Sequence, residues 1–171
     1  MKKIALLLLA TIIPMACMTT TPGGDPQAQR QLDALMERWL TALRNENIDV
    51  FMEAYWPEAE RVMLQRDGGE VVLRGLDQIR RQQGEIFENF DGLRELNYMG
   101  PEREFHGSTA AYHYEVESPG GFFVEHFEFE RREGRWAIIH QVIDMRVDRL
   151  PERAGKVWPG DMEPPRVASA F

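Results

Sequence analysis

The fold of this chain is decided by residues 120–147, which read GGFFVEHFEFERREGRWAIIHQVIDMRV. Two runs, in which apolar and charged residues largely alternate, flank Glu133-Gly134, a pair suited to a two-residue hairpin turn. A turn at this place puts Arg132 opposite Arg135 and fixes every later pair of the two strands. The stretch therefore predicts a long antiparallel hairpin.

In this register one face of the hairpin is apolar and carries ionisable groups at one end. Glu125 lies opposite Val142, and His140 and Asp144 flank that position on the same face. A histidine held by a carboxylate can act as a general base near neutral pH. We therefore name His140, Asp144 and Glu125 as candidate catalytic residues. The alternative is a buried histidine that is hydrogen-bonded to Glu125 and Tyr114, or one that only binds a ligand.

The N-terminus predicts export. Lys2 and Lys3 precede an apolar run over residues 4–13, which is the form of a signal peptide. The run is short for a membrane span, which takes about 20 apolar residues. The one cysteine of the chain, Cys17, follows Ala16 and resembles the lipidated cysteine of bacterial lipoproteins. We expect a protein of the cell envelope, anchored in the membrane at Cys17; the alternative is a secreted or periplasmic protein cleaved near Ala16.

Composition divides the rest of the chain and limits its partners. We expect a signal peptide over 1–16, a tether over 17–24, one domain over 25–149 and a loose, proline-rich tail over 150–171. The chain has 20 basic and 28 acidic side chains, a net charge of −8, which becomes −10 without Lys2 and Lys3. Such a surface repels nucleic acid. Contact with a membrane is expected through the lipid anchor alone.

The order of helical and strand patterns predicts the fold class. Helices are predicted from Asp25 to about Asn45, from Asn47 to Pro57, and over residues 76–90. Strands are predicted over 62–65, 70–74, 93–100 and 108–117, followed by the hairpin. Helices first and then a run of antiparallel strands indicate an α+β domain, with three N-terminal helices on one face of a curved antiparallel sheet.

Three segments resemble SnoaL-like proteins of the nuclear transport factor 2-like superfamily. Residues 47–59, NIDVFMEAYWPEA, are similar to that family's second helix and its exit. Gly75 and Ile79 match the start of its third helix, and residues 132–140 are similar to its closing hairpin. The resemblance spans about residues 27–146 and implies a cone-shaped, cystatin-like fold with an internal pocket.

What the resemblance implies about function is broad, because its members include polyketide cyclases, steroid isomerases, dehydratases and pocket proteins with no shown chemistry. It implies a small apolar or amphipathic ligand. Met63 stands about where steroid isomerases have a catalytic aspartate, so that reaction is not expected. Many SnoaL-like sequences carry a histidine and a serine late in the last strand, where this chain has Val142 and Asp144.

Aromatic residues on the helices and the sheet are candidates for the wall of the pocket, since a tyrosine in an apolar pocket offers its hydroxyl to a ligand. The alternative is that they are ordinary core residues. The predicted pocket residues are Trp39, Tyr55, Tyr112, Tyr114 and Phe127.

The opposite face of the sheet is also apolar in the predicted register, which is typical of an interface. SnoaL-like proteins often dimerise through their sheets, so the resemblance implies a homodimer. The predicted patch comprises Phe122, Val124, Ile139, Ile143 and Met145 beside Ala111, with His126, Glu128 and Gln141 at its margin.

A metal site is a further alternative, since one histidine with two carboxylates can hold iron or zinc. His113 and His126 lie on the opposite face from His140 in the predicted register. We therefore expect no metal and no cofactor. Three functions stay open: a non-enzymatic small-molecule-binding domain, a cofactor-free lyase or isomerase that uses His140 with Asp144 or Glu125, and an envelope protein-interaction module that uses the sheet face.

Overall fold

A six-stranded curved sheet and three α-helices make up the domain, as seen in a computed structural model that describes residues 25–147. The predicted signal peptide and tether and the predicted tail lie outside the described residues. The elements in chain order are α1 (Pro26–Arg44), α2 (Ile48–Met52), β1 (Tyr55–Leu64), β2 (Glu70–Arg74), α3 (Leu76–Asn89), a 3₁₀ turn (Leu93–Glu95), β3 (Asn97–His106), β4 (Thr109–Ser118), β5 (Gly121–Arg132) and β6 (Arg135–Asp144).

The first two helices begin where the sequence predicts. The Asp25 side chain accepts a hydrogen bond from the Gln27 backbone N–H at 2.9 Å, and the Asn47 side chain accepts one from Val50 at 3.2 Å. Each carboxylate or amide oxygen satisfies an N–H that the first helical turn leaves without a partner. Within residues 25–147, no helix combines the length and the apolar character needed to cross a bilayer.

The sheet is mixed, with the strand order β2-β1-β6-β5-β4-β3. All neighbouring strands are antiparallel except β1 and β6, which pair in parallel. The prediction of a purely antiparallel sheet was therefore wrong, because alternation within a strand does not reveal which distant strand becomes its neighbour. Two helices precede the sheet and α3 follows β2. The second helix ends at Met52, before the predicted end at Pro57, because Tyr55 already belongs to β1.

The β5–β6 hairpin contains a bulge that the sequence did not reveal. Its turn is as predicted: Glu133 and Gly134 have φ of 51° and 82°, and Arg132 pairs with Arg135. Farther along, Phe129 pairs with Ile138 but Glu128 pairs with His140, so Ile139 is an extra residue in β6. One extra residue moves every later side chain of a strand to the other face.

Beyond the bulge the predicted register was wrong. Glu125 lies opposite Ile143 and not Val142. Gln141 and Ile143 consequently share the helix-covered inner face with Glu125, whereas His140 and Asp144 belong to the outer face of the sheet.

The core between helices and sheet is filled by aromatic side chains. The five predicted pocket residues are 0–6% exposed. Trp39 packs edge-on against Phe127 with ring centroids 5.2 Å apart, and Tyr114 does the same at 5.9 Å. These contacts agree with the alternative that Trp39, Tyr55, Tyr112, Tyr114 and Phe127 are core residues.

Candidate functional site

A group of polar side chains is buried inside the domain, against the inner face of the sheet. We call Tyr55, Arg61, Gln83, Glu125 and Gln141 the interior polar cluster; each is at most 3% exposed. Polar groups are seldom buried this completely unless hydrogen bonds replace their contacts with water. The bonds among these five side chains therefore determine what the cluster can do.

Four elements supply the cluster. Tyr55 and Arg61 come from β1, Glu125 from β5, Gln141 from β6 and Gln83 from α3. The parallel pairing of β1 with β6 puts Arg61 directly beside Gln141. The bulge in β6 is what turns Gln141 inward.

Gln141 is the centre of the cluster. Its Oε1 accepts hydrogen bonds from the Tyr55 hydroxyl at 2.6 Å and from Arg61 Nε at 2.9 Å. Its Nε2 donates to Glu125 Oε1 at 2.5 Å. One side-chain amide thus links a buried cation to a buried carboxyl group.

The guanidinium of Arg61 is held by neutral acceptors and by aromatic rings. Its Nη1 donates to Gln83 Oε1 at 2.9 Å and to Gln82 Oε1 at 3.0 Å, and its Nη2 donates to the Tyr55 hydroxyl at 2.8 Å. Its central carbon lies 5.4 Å from the centroid of the Phe51 ring, within the range of a cation–π contact. These contacts compensate for the water that the buried cation has lost.

Glu125 has an unused hydrogen-bonding atom. Its Oε2 is buried and makes no hydrogen bond of acceptable geometry, although the Tyr98 hydroxyl lies near enough to interact with the carboxyl group. Burial raises the pKa of this carboxyl group to about 7, an effect that its interactions with Tyr98, Arg61 and Gln141 oppose. A carboxyl group with such a pKa can accept or donate a proton near neutral pH. Glu125 is therefore the chemically most adaptable member of the cluster.

The three candidate catalytic residues do not meet. Glu125 is in the interior polar cluster, whereas His140 lies on the outer face between Glu60 and Glu128. Its Nε2 is 3.8 Å from Glu60 Oε1 and its Nδ1 is 3.7 Å from Glu128 Oε1. Asp144 pairs with Arg146 at 2.6 Å, and this contact lowers the pKa of the aspartate. The predicted convergence of the three side chains is absent because the bulge separates them.

Sequence reasoning missed Arg61, Gln83 and Gln141 as site residues. Gln141 was assigned to the outer face because the bulge was not foreseen. A signal for Arg61 did exist, since it shares its strand face with the apolar residues Ala59 and Met63. Among the described residues, no group of three histidine, cysteine or acidic side chains is arranged to hold a metal ion.

Comparison with known proteins identifies the fold. No family model matches the chain, and no curated protein does. A solved NTF2-like protein of unknown function from Pseudomonas putida KT2440 is 18% identical, with a TM-score of 0.62 over 83% of this chain and 100% of that one. A cystatin-like fold protein from Burkholderia xenovorans LB400 is 17% identical, with a TM-score of 0.59 over 74% and 96% of the two chains.

A third solved structure, a cystatin-like fold protein of unknown function from Nostoc punctiforme PCC 73102, is 12% identical, with a TM-score of 0.57 over 70% and 92% of the chains. The chain has the NTF2-like, cystatin-like fold. The predicted cone-shaped, cystatin-like fold is thereby confirmed. At sequence identities of 12–18%, the structural similarity supports the NTF2-like fold alone. The narrower SnoaL-like assignment stays a prediction.

Proposed function

We propose that this protein is an exported, lipid-anchored SnoaL-like domain that binds a small apolar or amphipathic molecule at the interior polar cluster. The observation that carries this proposal is the buried Oε2 of Glu125, which makes no well-formed hydrogen bond. The Tyr98 hydroxyl interacts with the same carboxyl group, so a ligand donor would take the place of Tyr98. A buried acceptor without a partner costs about 1–3 kcal/mol. A ligand with one hydroxyl or amide donor would remove that cost.

The surroundings of Glu125 favour a ligand that is apolar apart from this donor. Tyr114 is paired with Glu125 across the sheet, and Tyr98 packs edge-on against Tyr114 with ring centroids 5.6 Å apart. Since side chains fill the interior, a ligand must displace some of them. The partly buried aromatics at the margin of the core, Phe87, Tyr98 and Phe123, are the side chains we expect to move.

Native mass spectrometry tests the binding proposal. We would use the full chain with Cys17→Ser, which removes the predicted lipidation site. We expect a defined co-purifying adduct that is lost in Glu125→Gln, because the new amide keeps the bond to Gln141 but cannot accept a second one at the position of Oε2. His140→Gln, on the outer face, is the matched control. The proposal would be rejected if the parent protein carried no adduct. It would also be rejected if an adduct were still bound by Glu125→Gln.

A cofactor-free lyase or isomerase is the second candidate function, and the pKa of Glu125 favours it. An acid–base group that titrates near pH 7 suits proton abstraction next to a carbonyl or elimination of water. Glu125 would act without His140 and Asp144, which lie on the outer face. Chromatography of the ligand after incubation with the protein distinguishes the two functions. Conversion that follows an inflection near pH 7 supports an enzyme, and recovery of unchanged ligand rejects one.

The proposed lipid anchor has its own test. Phase partitioning of the cell extract in detergent should place the parent protein with the membrane lipoproteins, because an acyl chain on Cys17 favours the detergent phase. The Cys17→Ser protein should move to the aqueous phase. Equal partitioning of the two proteins would argue for a secreted or periplasmic protein without an anchor.

We also propose that a second copy of the chain covers the outer face of the sheet. The outer-face patch differs from the predicted one, because the bulge turns Ile143 inward. Val62 pairs with both Val72 and Val142, and these side chains are only partly buried by the domain itself. An apolar sheet face of this kind is typical of an interface. The outer-face patch comprises Val62, Leu64, Val72, Val124 and Val142, with Asp144 between Leu64 and Val124.

A further inference from the structure

A surface cleft, which we call the α1 cleft, lies where α1, α2 and the start of β6 meet. Its volume is about 420 Å³, within the range of small-molecule sites. No residue of the interior polar cluster lines it. An adjoining cleft of about 330 Å³ shares Leu35, Arg38 and Trp136 with it. The apolar side chains that line the α1 cleft are Leu35, Trp39, Val50, Ala54 and Trp136.

Arg135 gives the α1 cleft a positive charge that is fixed in place. Its guanidinium carbon lies 4.9 Å from the centroid of the Trp56 ring, and its Nη2 donates to the Glu53 backbone carbonyl at 2.7 Å. Arg135 forms no ion pair with any carboxylate of the described residues, whereas Arg38, across the same cleft, is paired with the Glu53 side chain at 2.5 Å. The cleft therefore holds one positioned and unneutralised guanidinium in a protein whose net charge is −8.

Trp136, which also lines the cleft, carries a buried hydrogen-bond donor. The residue is 5% exposed, and its buried indole Nε1–H has no hydrogen-bond acceptor. An N–H group buried without a partner is uncommon and calls for an explanation. Gln31, which lines the adjoining cleft, has a buried Oε1 without a hydrogen-bond partner. Both Arg135 and Trp136 line the α1 cleft.

We propose that the α1 cleft binds a small amphipathic carboxylate. The carboxylate pairs with the Arg135 guanidinium and accepts the Trp136 indole N–H, after a small movement that exposes this atom. The apolar part of the ligand packs against Leu35, Trp39 and Val50. Charge-assisted hydrogen bonds from a guanidinium to a carboxylate are among the strongest in proteins. This site is separate from Glu125 and does not depend on the proposed function of the interior polar cluster.

Octanoate is a suitable probe, and octanamide, which has the same apolar chain without the charge, is its control. We would titrate each into the full chain with Cys17→Ser and follow heat release and the tryptophan indole N–H signals by NMR. Trp136→Phe assigns the Trp136 signal. We expect saturable binding of octanoate that shifts this signal. We also expect octanamide to bind at least tenfold more weakly.

Variants of arginine complete the test. Arg135→Gln should weaken octanoate binding at least tenfold, and Arg81→Gln, an exposed arginine outside the cleft, should not change it. If Arg135→Gln fails to fold by circular dichroism, Arg135→Lys replaces it and should weaken binding at least threefold, since an ammonium lacks the planar fork. Equal binding of octanoate and octanamide, equal effects at positions 135 and 81, or an unshifted Trp136 signal would each overturn the proposal.

Discussion

At Glu125, burial and hydrogen bonding act in opposite directions on one carboxyl group. Burial favours the neutral form and raises the pKa to about 7, whereas the contacts with Tyr98, Arg61 and Gln141 favour the charged form. The neighbouring Arg61 stays inside the protein because its donors reach neutral oxygens of Gln82, Gln83, Tyr55 and Gln141. The cluster thus combines a well-satisfied cation with an acid that is only partly satisfied.

The raised pKa of Glu125 predicts a pH-dependent free energy of unfolding. The ordinary pKa of such a group is 4.5, so the folded form binds its proton more tightly than the unfolded form. This contribution to stability is complete below about pH 4.5 and is lost as the pH rises through about 7, a change of about 3 kcal/mol. Glu125→Gln removes this titration. We would measure the free energy of unfolding of both proteins in urea between about pH 4.5 and pH 8. Over this range the variant should become about 3 kcal/mol more stable relative to the parent. A difference in unfolding free energy that does not change with pH would contradict the raised pKa of Glu125.

Loss of the central amide should be far more damaging than loss of a peripheral one. Gln141→Leu leaves Arg61, Tyr55 and Glu125 without their shared partner, and we expect a loss of about 3–5 kcal/mol of unfolding free energy. The control, Gln82→Leu, removes one of two acceptors of Arg61 Nη1 and should cost about 1 kcal/mol. Urea denaturation measures both. Equal losses in the two variants would show that Gln141 does not link the cluster.

At the scale of the element, β6 decides which residues enter the interior. Before the bulge Ile138 points inward, and after it Gln141 and Ile143 point inward. Successive inward-pointing residues are therefore two apart in a regular strand but three apart across the bulge, from Ile138 to Gln141. This change brings Gln141 beside Arg61 and moves His140 outward. A single extra residue in one strand therefore determines the composition of the candidate site.

Engineered disulfides test the register of the hairpin. Val124 lies opposite Asp144, while a hairpin without the bulge would put it opposite Ile143. In a Cys17→Ser background, Val124→Cys with Asp144→Cys should oxidise readily, since disulfides need Cβ atoms about 3.5–4.5 Å apart. Val124→Cys with Ile143→Cys should stay reduced, because the two side chains are on opposite faces. Mass spectrometry after mild oxidation reads both, and the reverse result would contradict the bulge.

Local patterns in the sequence predicted the elements better than their neighbours in space. Asp25, Asn47 and the Glu133-Gly134 turn act through contacts a few residues away, so the helix starts and the hairpin turn were predicted correctly. The β6 bulge and the parallel β1–β6 pair depend on contacts across the whole domain. Neither changes the alternation of residue types, and for that reason Arg61 and Gln141 were not recognised as site residues.

At the scale of the whole molecule, the two faces of the sheet have different roles. The inner face, under the helices, holds the aromatic core and the interior polar cluster. The outer face carries the aliphatic outer-face patch and, directly beside it, three of the four histidines of the chain: His113, His126 and His140. Helices cover the inner face alone among the described residues, which leaves the outer-face patch for a partner.

Dimerisation through the outer-face patch predicts a specific sensitivity to charge. Val142→Glu puts a carboxylate in the centre of the patch, next to Val62, and should convert a dimer into a monomer because two desolvated charges would face each other. Thr41→Glu, on an exposed position of α1, is the control and should leave the dimer intact. Sedimentation velocity at micromolar concentration measures both. A monomeric parent protein would exclude this interface.

Carbon-13 NMR of the Glu125 side-chain carboxyl group tests most directly whether this buried group titrates near neutral pH and whether a ligand reaches it. We would titrate the protein stripped of any co-purified molecule and then the same protein reloaded with it. We predict a pKa of about 7 in the stripped protein and a lower pKa when a ligand donor bonds to the carboxylate. A pKa near 4.5 that the ligand does not change would contradict this prediction.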